Sequence, residues 1–187
     1  MIEADFRKVV YALSDALDLV GVDDVAHGKR VGVMAAECGK TLALAADEVQ
    51  FLFDLGLLHD IGVSTTTTHQ HLVSEFDWGG SQTHAIVGYE LLKDFRPLAD
   101  MALPIRYHHT RWDRLLAEDI DVTIRRRANL TLLVDRVDAL AAPDTINTMP
   151  EKTLLAFGAH GAVRGVMAAD AAVDFRARRR NFCPRPL

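Results

Sequence analysis

Apolar residues recur at intervals of three and four along most of the 187-residue chain, and strand-like alternation is nearly absent. Residues 2–20 place Phe6, Val9, Val10, Leu13, Leu17 and Val20 on one stripe, which predicts a helix stopped at Gly21. Asp23 or Asp24 is placed to cap a second helix running to about Gly39. Asp47 opens a third, with Val49, Leu52, Phe53, Leu57 and Leu58 directed inward and a stop at Gly62. The polar, glycine-terminated stretch 63–80 (VSTTTTHQHLVSEFDWGG) reads as a long loop. Further helices are expected at about 81–95, at 97–109 with a kink at Pro104, and at 121–140, with a loop over 110–120. After Ala142 the pattern dissolves. APDTINTMP is a linker or turn, and the residues beyond it could form one helix around 151–176 with a poorly defined apolar face. The expectation is an all-α bundle: an N-terminal helix over 1–20, a core domain over 21–142 and an irregular C-terminal extension over 143–187.

Composition narrows the class. With 49% apolar and 25% charged residues and a mean hydropathy of +0.06, the chain suits one sizeable globular core. No run of about 18 apolar residues is present to span a membrane. The start, MIEADFRKVV, lacks the basic-then-apolar order of a secretory signal. Cys38 and Cys183 form no CxxC and suit a reducing compartment, so a cytoplasmic location is expected. The net charge of −5 argues against general nucleic-acid binding. It is uneven: residues 1–142 hold 14 basic against 22 acidic side chains, residues 143–187 hold 7 against 4. The run Arg176, Arg178, Arg179, Arg180 reads as part of a frayed tail. Of the eight histidines all but His160 sit in the acidic part.

Those histidines carry the candidate chemistry. His27, the pair His59-Asp60, His84, the pair His108-His109 and Asp135 each lie in or at the end of an expected helix, within apolar strings such as LGLLHDIG, ALPIRYHH and LTLLVDRVDAL. An imidazole or carboxylate brought to a core is costly unless it is paired or binds a cation. Taken singly, any one of them is more often a hydrogen-bonded core residue, and Asp135 more often a surface partner for Arg136 or Arg127. As a set, five helical segments deliver inward-pointing donors that a bundle can converge on one site. Seven nitrogen and oxygen donors exceed what one tetrahedral ion takes, so two metals sharing Asp60 is the natural count. Imidazole and carboxylate without thiolate suit Fe, Mn or Zn.

The order H…HD…H…HH…D resembles the HD superfamily of metal-dependent phosphohydrolases, and the doubled histidine its HD-GYP branch. The matching strings are HDIG at 59–62, THAIVGYELL at 83–92, YHHTRW at 107–112 and LVDRVDAL at 133–140, within roughly residues 20–142. The resemblance implies a helical HD-domain bundle that hydrolyses cyclic di-GMP or a related cyclic dinucleotide through a hydroxide bridging two or three divalent ions, with Fe or Mn favoured and Zn admissible. It implies that His27, His59, Asp60 and Asp135 hold one metal and that Asp60, His84, His108 and His109 hold the second. Asp23, one turn before His27, would hold a third or simply cap the helix. Asp138, one turn after Asp135, matches an acid that orients a ligand or the attacking water, so Asp60 and Asp138 are the acids expected at the chemistry.

The departures from the family pattern are informative too. HDIGK has become HDIGV, so Val63 replaces a lysine whose loss should cost on the order of 2–4 kcal/mol of transition-state stabilisation if nothing substitutes for it. The GYP tripeptide is gone, and AAPDTINTMP stands where an arginine-containing segment normally follows the last aspartate. Arg111, beside the histidine pair, is the preferred remaining phosphate contact, ahead of Arg106, Arg114 and Arg136. His69 and His71 in the loop could reach the site, and Trp78 or Trp112 could stack on a purine, although solvated-loop and core-edge roles are commoner. Three readings are open: a cyclic dinucleotide phosphodiesterase; a metal-stabilised signalling or interaction module with weak or no catalysis; and an HD-type nucleotidase. The helix over 2–20 offers a surface for a homodimer or an upstream sensor partner, with packing onto the bundle slightly preferred.

Overall fold

The computed structural model describes residues 5–19, 26–63 and 81–141. Asp23, Asp24, His69, His71, Trp78 and the 143–187 extension lie outside the described residues. Within them the helices are α1 (Phe6–Asp18), α2 (His27–Thr41), α3 (Ala46–Leu58), α4 (Ser81–Leu92), α5 (Ala99–Tyr107), the single turn α6 (Trp112–Leu115) and α7 (Val122–Ala141). No strand occurs among the described residues, so the all-α expectation holds. No described helix is long and apolar enough to cross a membrane.

The helix α3 is apolar nearly all round, and that places it at the centre. Leu55, Leu57 and Leu58 join Val10 of α1, Leu92 of α4 and Met101, Ala102 and Ile105 of α5 in one core cluster. On its other side Leu52 joins Val31, Ala35 and Cys38 of α2 and Leu130, Leu133 and Val134 of α7. The crossing with α2 is unusually close because two glycines meet there. A Cβ on Gly56 would stand 2.5 Å from Gly32 Cα and 2.6 Å from Gly32 N. That approach brings the start of α2, with His27, against the end of α3, with His59.

Some boundaries differ from the sequence pattern. The second helix starts at His27 with Ala26 as its N-cap, and the aspartate cap expected at Asp23 or Asp24 lies outside the described residues. Ala26 is left-handed (φ 77°), and its N–H donates to Asp18 Oδ1 at 3.1 Å. Asp18 and Asp15 also hold Lys29, at 2.8 and 2.6 Å, tying α1 to α2. The third helix stops at Leu58, four residues before Gly62, and the chain turns through residues 59–62. The region read as a loop over 110–120 contains α6, too short to show a period.

A charged clamp joins α3 to α7. Arg127 lies over the Phe51 ring at 3.8 Å and donates to both Glu48 oxygens, Nε to Oε1 at 2.8 Å and Nη2 to Oε2 at 2.5 Å. The pair is partly buried and two-pronged, the geometry in which an ion pair and a ring contact contribute measurably. Arg127→Ala is therefore expected to destabilise the fold by about 1–2 kcal/mol, read as a lower urea midpoint with an unchanged slope.

Candidate metal centre

Two of the donor pairs are made by helix ends. His59 is the C-cap of α3 and His108 the C-cap of α5. In both, the ring folds back on its own helix: His59 Nδ1 donates to Gly56 O at 2.8 Å and His108 Nδ1 to Ile105 O at 2.6 Å. The last carbonyls of a helix lack intrahelical partners. Each imidazole supplies one, and its ring is thereby fixed with Nδ1 inward and Nε2 free to face the following residue. The helix dipole adds partial negative charge at both ends, which favours a cation there. His27 opens α2, His84 lies in the first turn of α4, and Asp135 is in mid α7. Gly62 lets the turn after Asp60 lie directly on the backbone of α4, beside His84 O and Gly88 N.

These segments converge around Asp60, whose two oxygens face different groups. Oδ1 is 3.1 Å from His84 Nε2 and 3.7 Å from His108 Nε2. Oδ2 is 3.4 Å from His59 Nε2 and 3.8 Å from His27 Nε2. Asp135 Oδ1 closes the second set, 3.3 Å from His27 Nε2 and 3.7 Å from His59 Nε2. His109 Nε2 completes the first, 3.0 Å from His84 Nε2, which is itself 3.2 Å from His108 Nε2. Asp60, His84, His108 and His109 form one candidate cation site, and His27, His59 and Asp60 another.

The chemistry of the set suits divalent ions. Donors about 2.1 Å from a shared ion stand about 3.0 Å apart in an octahedral shell and about 3.4 Å apart in a tetrahedral one, close to the separations above. His59 Nε2 is buried and has no hydrogen-bond partner among the described residues, although it faces two carboxylates. A buried imidazole nitrogen facing carboxylates is costly unless a cation, a proton or a metal ion, stands between them.

Other expected residues fall elsewhere. Asp138 stands behind His27, against the ring nitrogen opposite the one that faces Asp60. His27 Nδ1 lies 2.8 Å from its Oδ2, and Arg30 engages both its oxygens, Nε to Oδ1 at 2.8 Å and Nη2 to Oδ2 at 2.7 Å. Arg111 is exposed and faces Asp113 at 3.5 Å, whereas the buried Arg136 lies with Nη2 3.1 Å from His109 Nδ1. Of the four candidate arginines, Arg136 is the one in contact with a donor of the centre. Arg106 lies over the Tyr107 ring and Arg114 is exposed. Val63 is buried. Sequence reasoning misses Arg30, whose partner Asp138 is 108 residues away and which nothing in its local sequence marks out.

The protonation of the metal-free centre follows from competing effects. Burial pulls His27 down, but hydrogen bonds to Asp135 and Asp138 and the nearby carboxylate charges outweigh it, leaving His27 well above its ordinary value. His59 is raised in the same way, by Asp60 and Asp135 against burial. Burial pushes Asp60 and Asp135 up, and the surrounding imidazoles overcome it, holding both well below the usual carboxylate range. The raised histidines stabilise the metal-free fold fully below an ordinary pKa of about 6.5, and that contribution is lost as pH rises through their higher folded values. The depressed aspartates act oppositely, stabilising above the ordinary carboxylate range and failing only as pH falls through their low values. Metal must displace the protons on His27 and His59. Affinity for Mn²⁺ is therefore expected to rise up to about tenfold per pH unit for each proton displaced between about pH 6 and about pH 8, with proton release seen when calorimetry is repeated in buffers of different ionisation enthalpy.

Comparison with known proteins agrees with this geometry. The HD domain family matches residues 25–142. A 3′3′-cGAMP-specific phosphodiesterase 1 from Vibrio cholerae serotype O1 is 41% identical over 136 residues, which are 73% of this chain and 32% of that protein. The chain thus spans about a third of that relative's length. No solved structure matches it. Divalent-metal binding is what the family implies, and the His/Asp groups described above are where this chain could provide it. With the ordered histidines and aspartates gathered on Asp60 and the doubled histidine at the Oδ1 side, the chain belongs to the HD domain family, in its HD-GYP-like branch.

Proposed function

We propose that this chain is the catalytic domain of a metal-dependent phosphodiesterase that opens a cyclic dinucleotide of the 3′3′-cGAMP or cyclic di-GMP kind. The observation that carries the reading is the bridging posture of Asp60, with each oxygen turned to a separate group of imidazoles. The similarity to a 3′3′-cGAMP-specific enzyme supports the substrate class. His27, His59, Asp60 and Asp135 would hold one ion, and Asp60, His84, His108 and His109 the other, Fe or Mn ahead of Zn. When bound, such a pair supplies Lewis-acid charge to the phosphoryl oxygens and lowers the pKa of water between the ions.

The chain's own residues do the rest. Asp138 accepts from His27 Nδ1 and so keeps Nε2 turned to Asp60 and Asp135, which assigns it a positioning role. Arg136 brings a positive charge to the His109 side. The buried apolar residues beneath, Leu58 and Ile105 among them, exclude water from the back of the centre. The helix α1, tied to α2 through Lys29, is the element through which a second copy or a sensor partner would act on His27.

The test is incubation with Mn²⁺ and either 3′3′-cGAMP or cyclic di-GMP, with linear product sought by chromatography. Turnover of one or both supports the reading, and metal-dependent binding of the nucleotide without linear product rejects it. That second outcome would select a signalling or interaction module, which Val63 in place of the lysine and the missing GYP tripeptide favour. Release of phosphate from nucleoside monophosphates alone would select an HD-type nucleotidase.

A further inference from the structure

The two groups of donors are not held alike. In the group formed by His27, His59 and Asp60, both imidazoles have Nδ1 against an acceptor: Asp138 Oδ2 at 2.8 Å for His27 and Gly56 O at 2.8 Å for His59. An acceptor at Nδ1 requires the hydrogen there and keeps Nε2 available as a ligand. In the other group only His108 has this arrangement, against Ile105 O at 2.6 Å. His84 Nδ1 is buried and meets no hydrogen-bond partner among the described residues. His109 Nδ1 faces a donor instead, Arg136 Nη2 at 3.1 Å.

A guanidinium has five N–H groups and no lone pair to offer. Its contact with His109 is a hydrogen bond only when the ring hydrogen of His109 sits on Nε2, the nitrogen a cation would need. His84 Nε2, 3.0 Å from His109 Nε2, is placed to receive that hydrogen. Arg136 is only 8% exposed, and its Nε lies 3.9 Å from Asp135 Oδ2, so a carboxylate helps keep the guanidinium in place.

We infer that the two cation positions differ in affinity and that Arg136 sets the gap by holding His109 in the tautomer that cannot ligate. The inference rests on the dinuclear reading above. Filling the position between Asp60 Oδ1 and the histidine pair requires the His109 hydrogen to pass to Nδ1 and Arg136 to turn away. Filling the other position requires release of the protons on His27 and His59 but no change of tautomer and no displaced side chain. Loss of an orienting partner on a ligand typically costs 10- to 100-fold in metal affinity, and among the described residues this position shows an orienting acceptor at only one of its three imidazoles, His108. Any reaction needing both ions then follows the divalent cation level over a range in which the first position stays full.

Two measurements on the whole chain test this. In the metal-free protein, ¹⁵N–¹H correlation spectra report ring tautomers. His109 is expected as the Nε2–H form and His108 as the Nδ1–H form, and His109 in the Nδ1–H form overturns the inference. Titration of the metal-free protein with Mn²⁺ is expected to give two steps separated by about tenfold or more, the weaker one accompanied by the EPR signature of two coupled Mn²⁺ ions. Arg136→Met keeps an apolar stem without a donor and should bring the steps together, while Arg136→Lys, which still donates, should keep them apart. Two equal steps in the unaltered protein, or an unchanged gap in a folded Arg136→Met, sinks the role of Arg136 while two bound ions still support a dinuclear centre. Saturation at about one ion per chain or fewer sinks the dinuclear reading itself.

Discussion

Replacing Asp60 by alanine is expected to empty both cation positions at once and to lower phosphodiester turnover by at least about 10³-fold, about 4 kcal/mol of transition-state stabilisation. The expectation follows from how its oxygens are shared, since each faces a different imidazole group across 3.1 to 3.8 Å. Removing a ligand that serves one position alone, such as Asp135, leaves the histidine pair and Asp60 Oδ1 intact. Asp135→Ala should therefore reduce bound metal to about one ion per chain, whereas Asp60→Ala should take it well below one. Asp60→Asn is the sharper variant, because it keeps the volume and removes the charge that offsets a divalent cation. Elemental analysis of purified protein, read alongside turnover, separates the two cases. An Asp60→Ala protein that still carries two ions would show that Asp60 bridges nothing.

Destabilisation need not accompany that loss. The buried imidazoles are drawn together by carboxylates in the metal-free state, but the fold rests on the two leucine-rich clusters around α3. In Asp60→Ala, His27 keeps Asp135 and Asp138, so the centre loses one carboxylate among three.

The parts of the centre legible in sequence are those where a polar pair interrupts an apolar helix. LGLLHDIG and ALPIRYHH announce buried donors at helix ends, and the structure puts His59 and His108 there as C-caps. The pattern does not show that each helix stops at its histidine. The first sequence stop signal after Leu58 is Gly62, and only the ring folding back on Gly56 O reveals the end at His59. Long-range partners are equally hidden. Arg30 and Asp138 are 108 residues apart, and nothing local in HGKRVG distinguishes Arg30 from a surface arginine. Proximity in sequence to the histidine pair favours Arg111 over Arg136, and the fold reverses that order. The helix α7, lying alongside α5, brings Arg136 to His109 across 27 residues, while α6 carries Arg111 out to Asp113. The left-handed Ala26 has no sequence signal at all, since the side chain holding it, Asp18, lies eight residues back.

Gly62→Ala is expected to be the most damaging single methyl group in the domain. A Cβ at this position would fall inside the van der Waals envelope of His84 O and Gly88 N, and both are backbone atoms of α4 that no rotamer change can clear. The cause is space alone, because no glycine among the described residues has a positive φ. The turn must lift from α4, or α4 from the core, and the 3.1 Å approach of His84 to Asp60 is the first interaction to break. Overpacking against a rigid neighbour costs about 1–3 kcal/mol and sometimes more, so a loss of about 3 kcal/mol in urea unfolding is expected. Metal content should fall below about two ions per chain, because the displaced turn carries Asp60, which faces both groups of imidazoles, while His27 and Asp135 keep their places on α2 and α7. Gly39→Ala is the matched control. Its added methyl would meet Leu52 Cδ1 and Val49 Cγ2 at 3.2 Å, side-chain tips that can yield, and alanine regains about 1 kcal/mol of helix propensity. Equal stability losses in the two variants, or full metal content in Gly62→Ala, would mean that the seating of this turn on α4 does not govern the centre.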